Sequence, residues 1–211
     1  MNTTKPMNDV LSPPTPCVAR FSRGPENSER IDVERRGHAP SSWSLPGHRS
    51  RLPHDLCHLI VEDALAISDG FWGLVCRGVE VRIVDDHAEL LYEDSPLRDQ
   101  PGIDFSELQR CEEAVAILGT FGLRTEQVGV LAVVTLAADA PVPPLRPEEI
   151  ERIRTLFPGR SPELIDAVRS RLVTLHRQWM TLSDTDALTF DFPSETTAAP
   201  MGVGHESGGL C

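Results

Sequence analysis

The stretch PHDLCHLIVEDALAI, from Pro53 to Ile67, constrains this chain more than any other part of it. Leu56, Ile60, Ala64 and Ile67 recur at helical spacing, and Cys57, Val61 and Leu65 widen the apolar stripe. Pro53 suits the first helical position, where its missing N–H is no loss, and Asp55 in the first turn favours the positive end of the helix dipole. The pattern predicts an amphipathic helix whose apolar face must pack on a core. Gly70 is placed to take the left-handed conformation that ends helices, and a short helical piece from Phe71 to Arg77 is closed in turn by Gly78. Phe71 and Trp72 read as core anchors.

The other elements follow from period and punctuation. Apolar positions alternate from Cys17 to Phe21 and again at Ile31 and Val33, on either side of the turn Gly24–Ser28, which predicts a β-hairpin. Gly37 to Ser50 reads as a Gly/Pro/Ser loop, and Val79, Val81 and Ile83 as a short strand before an acidic loop from Asp85 to Asp104. Asp104 and Glu107 form a D-x-x-E capping box for a helix reaching Gly119. Thr125 caps the apolar segment Val128 to Ala138, read as helix with a buried strand as the alternative. Pro147 opens a helix that ends before Pro158-Gly159, and Ser161-Pro162-Glu163 opens a long one reaching Leu182. Leu188, Phe190 and Phe192 make a last strand. The expected fold is therefore α+β, a helix-dominated single domain with a small antiparallel sheet built from the N-terminal hairpin and the C-terminal strand. A chain of 211 residues, 40% of them hydrophobic, suits one core over 16–193. Residues 1–15 and 194–211, rich in Pro, Thr and Gly with little to bury, read as disordered tails.

Composition excludes several function classes. A net charge of -12 disfavours nucleic acid, whose affinity comes from neutralising phosphates. The single lysine, Lys5, rules out a Walker A loop and leaves no lysine in the domain for a Schiff base; G-x-G-x-x-G and G-x-S-x-G are absent, so no cofactor-binding loop is indicated. No apolar run approaches the roughly 18 residues that span a bilayer, and Met1 to Thr15 carries Pro and Asn where a signal peptide is apolar. A cytoplasmic protein without membrane contact is expected. Five scattered cysteines (Cys17, Cys57, Cys76, Cys111, Cys211) with no C-x-x-C predict reduced thiols. The arginines and acids of the last two helices read as a mixed solvated face with pairs such as Glu148–Arg152.

The chemistry-bearing pattern is His54, His58 and Glu62. At 100° per residue these form one ridge along the border of the apolar face. Imidazoles at i and i+4 have β-carbons roughly 5–6 Å apart, close enough to share a divalent metal. The string H-D-L-C-H imitates H-E-x-x-H, with Asp55 where a general base stands, although Asp is one methylene short. From His54 to Glu62 the helix rises about 12 Å, too far for both to hold one ion. Glu62 is then a base or an outer partner that orients a ligand, and further ligands must come from elsewhere: Asp85, Asp86, His87, His176, Glu112 and Glu113 are candidates that spacing does not rank. The plain structural reading has His54 bonded near the helix start, His58 at the core edge and Glu62 paired with an arginine. Cys57 points to the apolar side, away from a catalytic pair.

The runs LPHDLCHLIVEDAL and DGFWGLVCRGV, followed much later by RQWMTL and ALTFDFP, resemble a family of small bacterial proteins marked by LPHDL-x-H and GFWG. The resemblance covers Cys17 to Pro193; it implies the domain limits and the C-terminal strand, and no activity, cofactor or partner comes with it. Two readings of function follow. With no complete catalytic set in the sequence, the first is a non-catalytic intracellular interaction or accessory protein that binds a protein partner or itself. The alternative is a metal-binding protein or metal-dependent hydrolase built on His54 and His58.

Overall fold

A computed structural model describes residue 11 and residues 15–47, 51–85, 87–100, 104–119 and 144–194 of the chain. The expectations for Thr125 and 128–138, for Asp86 and for nearly all of both tails lie outside these residues. Strand β1 (Cys17–Arg23) turns Cys17, Ala19 and Phe21 to the core and Val18 and Arg20 to solvent, the period of two its sequence shows. It pairs antiparallel with β2 (Ser28–Arg35), Phe21 opposite Ile31. On its other side lies β7 (Ala187–Phe192), with Phe21 opposite Leu188. The expected hairpin and C-terminal strand thus form one antiparallel sheet.

That sheet has a fourth strand, β3 (Ser41–Pro46), in order β3-β2-β1-β7. Strand β3 occupies the stretch read as loop, with Trp43 opposite Ile31 and buried. Serines on either side of Trp43 hid it, since a single apolar residue shows no period. The acidic stretch is also a correction. There, β4 (Glu80–Val84), β5 (His87–Tyr92) and β6 (Ser95–Pro96) build a second antiparallel sheet. Its tight turns use acids in left-handed conformations, Asp85 at φ 50° and the pair Glu93–Asp94 at 50° and 63°, the two-residue geometry that matches strand twist.

The central helix α1 (His54–Ala64) is buried at nine consecutive positions, Asp55 to Asp63, so that its polar ridge is enclosed along with its apolar stripe. Around it pack α2 (Phe71–Cys76), α3 (Ser106–Leu118) and α5 (Pro162–Thr181), with α4 (Pro147–Leu156) behind α3. Leu56, Leu59, Ile60 and Val61 are each at most 1% exposed, and full burial of such side chains is worth about 1.5–3 kcal/mol apiece. Phe21 meets Trp72 edge to face at 5.8 Å, which ties the sheet to the helical layer. Helix α1 ends earlier than predicted, and Ala66 rather than Gly70 takes the left-handed position (φ 49°). The amides of Ala66 and Ile67 return to the carbonyls of Asp63 and Glu62, completing a Schellman motif. Gly78, at φ 94°, closes α2 as its sequence predicts.

At the head of α3, Asp104 accepts from the Ser106 amide, but the Glu107 carboxylate accepts from the Asp69 amide at 2.9 Å, so the capping box is not reciprocal. Ser161 caps α5 through the Leu164 amide. Arg152 bonds Glu113 rather than Glu148. Cys17 and Cys76 are joined as a disulfide, while Cys57 and Cys111 are free and buried. The sequence separation of 59 gave no hint of the pair, because only the folding of α2 onto β1 brings it together. Among the described residues no helix is long and apolar enough to cross a membrane.

Candidate metal centre

The GFWG segment is shaped around Glu62. Its carboxylate, with no solvent exposure, accepts from the amides of Phe71 (2.8 Å, Oε1), Trp72 (2.8 Å, Oε2) and Gly73 (3.3 Å, Oε2). These are the unsatisfied donors of the first turn of α2, and their bonds to a charged acceptor offset the cost of burying it. A β-carbon at Gly70 would stand 2.5 Å from the Glu62 carboxyl carbon, and one at Gly73 1.9 Å from the Ser68 carbonyl oxygen. Both glycines are there for close approach. The expected arginine partner of Glu62 is replaced by backbone.

The same carboxylate orients His58. Nδ1 of His58 lies 3.2 Å from Glu62 Oε1, and because an ionised carboxylate only accepts, Nδ1 carries the hydrogen. The Nε2 lone pair of the neutral ring then points the other way, toward His54 and Glu112. Cys111 Sγ adds a bond to Glu62 Oε1 at 3.4 Å from α3.

Three donor atoms converge on that side. His58 Nε2 is 3.2 Å from His54 Nε2, and Glu112 Oε2 is 3.3 Å from each of them. His54 and His58 come from successive turns of α1; Glu112 comes from α3, beside the buried stripe of Cys111, Ala114, Val115 and Leu118 that packs on α1. His58 is 2% exposed in its side chain, His54 61% and Glu112 53%, so the cluster has a closed floor and an open rim.

Charge follows from this placement. Burial alone pushes the His58 imidazole down, but hydrogen bonds to Glu112 and Glu62, together with their charges, more than reverse it and lift its pKa to about 9. Hydrogen bonds from His54 and His58 hold the Glu112 carboxyl far below the ordinary carboxylate range. Without a metal, a proton on His58 Nε2 occupies the centre of the cluster. Burial beside Glu62 raises the Cys111 thiol, and burial pushes Cys57 up to about 12, so neither is a thiolate.

Of the residues singled out by sequence, the structure groups His54, His58 and Glu62 in a chain of contacts and sends Asp55 elsewhere. Asp55 is buried, and its Oδ2 accepts from the Trp43 indole at 2.8 Å while its carbonyl accepts from the Trp72 indole at 2.7 Å. Burial raises its pKa, with the Trp43 bond opposing. It fastens α1 to β3. Of the unranked ligands, Glu112 joins the site, Glu113 bonds Arg152, His87 lies on β5, and His176 is buried on α5. Glu112 has only a weak sequence signal, its place one residue past an apolar stripe. Comparison of the chain with family models, with curated proteins and with solved structures gives no match.

Proposed function

We propose that the protein binds one divalent transition metal ion, zinc by its ligand chemistry, through His54 Nε2, His58 Nε2 and Glu112 Oε2. The observation that carries this reading is the triangle of donor atoms with sides of 3.2, 3.3 and 3.3 Å. A tetrahedral ion equidistant from three such corners stands about 2.0 Å from each, the length of a zinc–nitrogen bond. The same triangle as one face of an octahedron would need bonds of about 2.3 Å, long for a first-row ion bound by imidazole. Support comes from behind the triangle as well. Glu62 fixes the His58 tautomer and ring as a carboxylate behind a metal-bound histidine does, and three amides in turn hold Glu62.

Three protein ligands and an open rim leave a coordination position for water, the pattern of catalytic rather than structural zinc. A bound water there would have its pKa lowered to about 7 and supply hydroxide for hydrolysis. Asp55, committed to Trp43, does not serve as base, so this chemistry rests on the metal-bound water itself. The test is metal content and zinc titration of purified protein. One equivalent is expected in the wild type, with loss in His58→Ala and in Glu112→Gln, the folding of each variant being checked by its unfolding midpoint because Glu112 also bonds His58. Less than about a tenth of an equivalent in the wild type ends the reading and returns the protein to the accessory class.

A further inference from the structure

The Cys17–Cys76 bond is the far end of the path that holds His58. Cys76 is the last residue of α2, and the first three amides of α2 clamp Glu62. A helix of six residues has no stability of its own, since isolated helices below roughly 12–15 residues are marginal in water. Its position is set by its buried side chains, Trp72 above all, and by what grips its two ends. At the front that grip is Glu62. At the back it is the disulfide to central strand β1, reinforced by the Thr15 amide and hydroxyl on the Cys76 carbonyl at 3.2 and 3.0 Å.

Resting on the metal reading above, we propose that the Cys17–Cys76 pair is a redox control on the metal centre. Oxidised, the pair pins α2, α2 holds Glu62, and Glu62 presents His58 Nε2 to the ion. Reduced, α2 loses its covalent anchor, its amides leave Glu62 part of the time, and His58 is no longer held in one tautomer and orientation. The reductant is a dithiol: its thiolate attacks one sulfur, the S–S bond breaks to a mixed disulfide, and its second thiol displaces the protein sulfur. Two electrons and two protons pass to Cys17 and Cys76, and the dithiol leaves as a disulfide. Both sulfurs are buried, so attack follows a local opening that exposes one of them.

The experiment measures zinc affinity of the full chain by competition with a chromophoric chelator, oxidised and after a phosphine reductant, which adds no competing thiol. The Cys17→Ala/Cys76→Ala double variant serves as a permanently unlinked form. Reduction and the double variant are both expected to weaken zinc binding about 10–100-fold, the usual cost of disturbing the partner behind a metal-bound histidine. Amide hydrogen exchange should rise at Phe71, Trp72 and Gly73 and not in the β1–β2 ladder. Equal zinc affinity in the two redox states, within about twofold, overturns this proposal and leaves the metal reading standing. No zinc in either state removes both. Exchange that rises equally across β1 and β2 shows general loosening and also overturns local control.

Discussion

Replacing Glu62 by Gln removes one charge and changes no volume, yet it should be among the most damaging single changes in the chain. Two carboxylate oxygens now serve five donors: Oε1 takes the Phe71 amide, His58 Nδ1 and Cys111 Sγ, and Oε2 takes the amides of Trp72 and Gly73. A glutamine offers one oxygen. Placed at the Oε1 position it keeps three donors and turns its NH2 against the amides of Trp72 and Gly73; the reverse placement abandons three. Each buried donor left without an acceptor costs about 1–3 kcal/mol, and the surviving bonds lose their charge assistance, so the loss should be about 3–5 kcal/mol. Urea unfolding followed by tryptophan fluorescence, with Trp43 and Trp72 buried beside the site, reads this as a lower midpoint at unchanged slope. A loss below about 1 kcal/mol at constant slope refutes the idea that Glu62 clamps α2.

Further outcomes follow from the same geometry. Gly73→Ala should destabilise more than Gly70→Ala, because its β-carbon meets backbone at 1.9 Å whereas that of Gly70 meets a side chain at 2.5 Å; equal melting temperatures would contradict the packing described. Trp43→Phe, which strips Asp55 of its indole donor, should cost about 1–3 kcal/mol in chemical unfolding. In metal-free protein His58 has a folded pKa near 9 against 6.5, so its contribution is fully present below about pH 6.5 and lost as pH rises through 9, of order 3 kcal/mol in all. A flat stability profile across that window would count against the hydrogen bonds of His58 to Glu62 and Glu112. Because zinc must displace that proton, its apparent affinity should climb about tenfold per pH unit below pH 9, measurable by chelator competition.

Periodic segments of the sequence were legible and their partners were not. The burial alternation of β1 and β7, the Ser161 cap of α5 and the helical spacing of α1 are written in neighbouring residues, and each emerges as an element close to its expected limits. Strand β3 and the β4–β6 sheet escaped because Trp43 has only serines beside it and the turn residues Asp85, Glu93 and Asp94 resemble an acidic loop. At the site, spacing identified His54 and His58 as neighbours and set Glu62 one turn too far to share an ion. It gave no way to see that Glu62 would be held by the amides of α2, or that α3 would bring Glu112 in place of Glu113. Those facts belong to how α1, α2 and α3 pack, and the glycines of GFWG make sense only once Glu62 stands between them.

A crystal structure of the protein grown with zinc, with data collected on either side of the zinc absorption edge, tests whether His54, His58 and Glu112 hold the ion. A single anomalous peak is expected roughly 2.0–2.1 Å from Nε2 of His54, Nε2 of His58 and a carboxylate oxygen of Glu112, with Glu62 still on His58 Nδ1. A well-ordered His54–His58–Glu112 cluster with no peak, at a zinc concentration that fills other surface histidines, would contradict it.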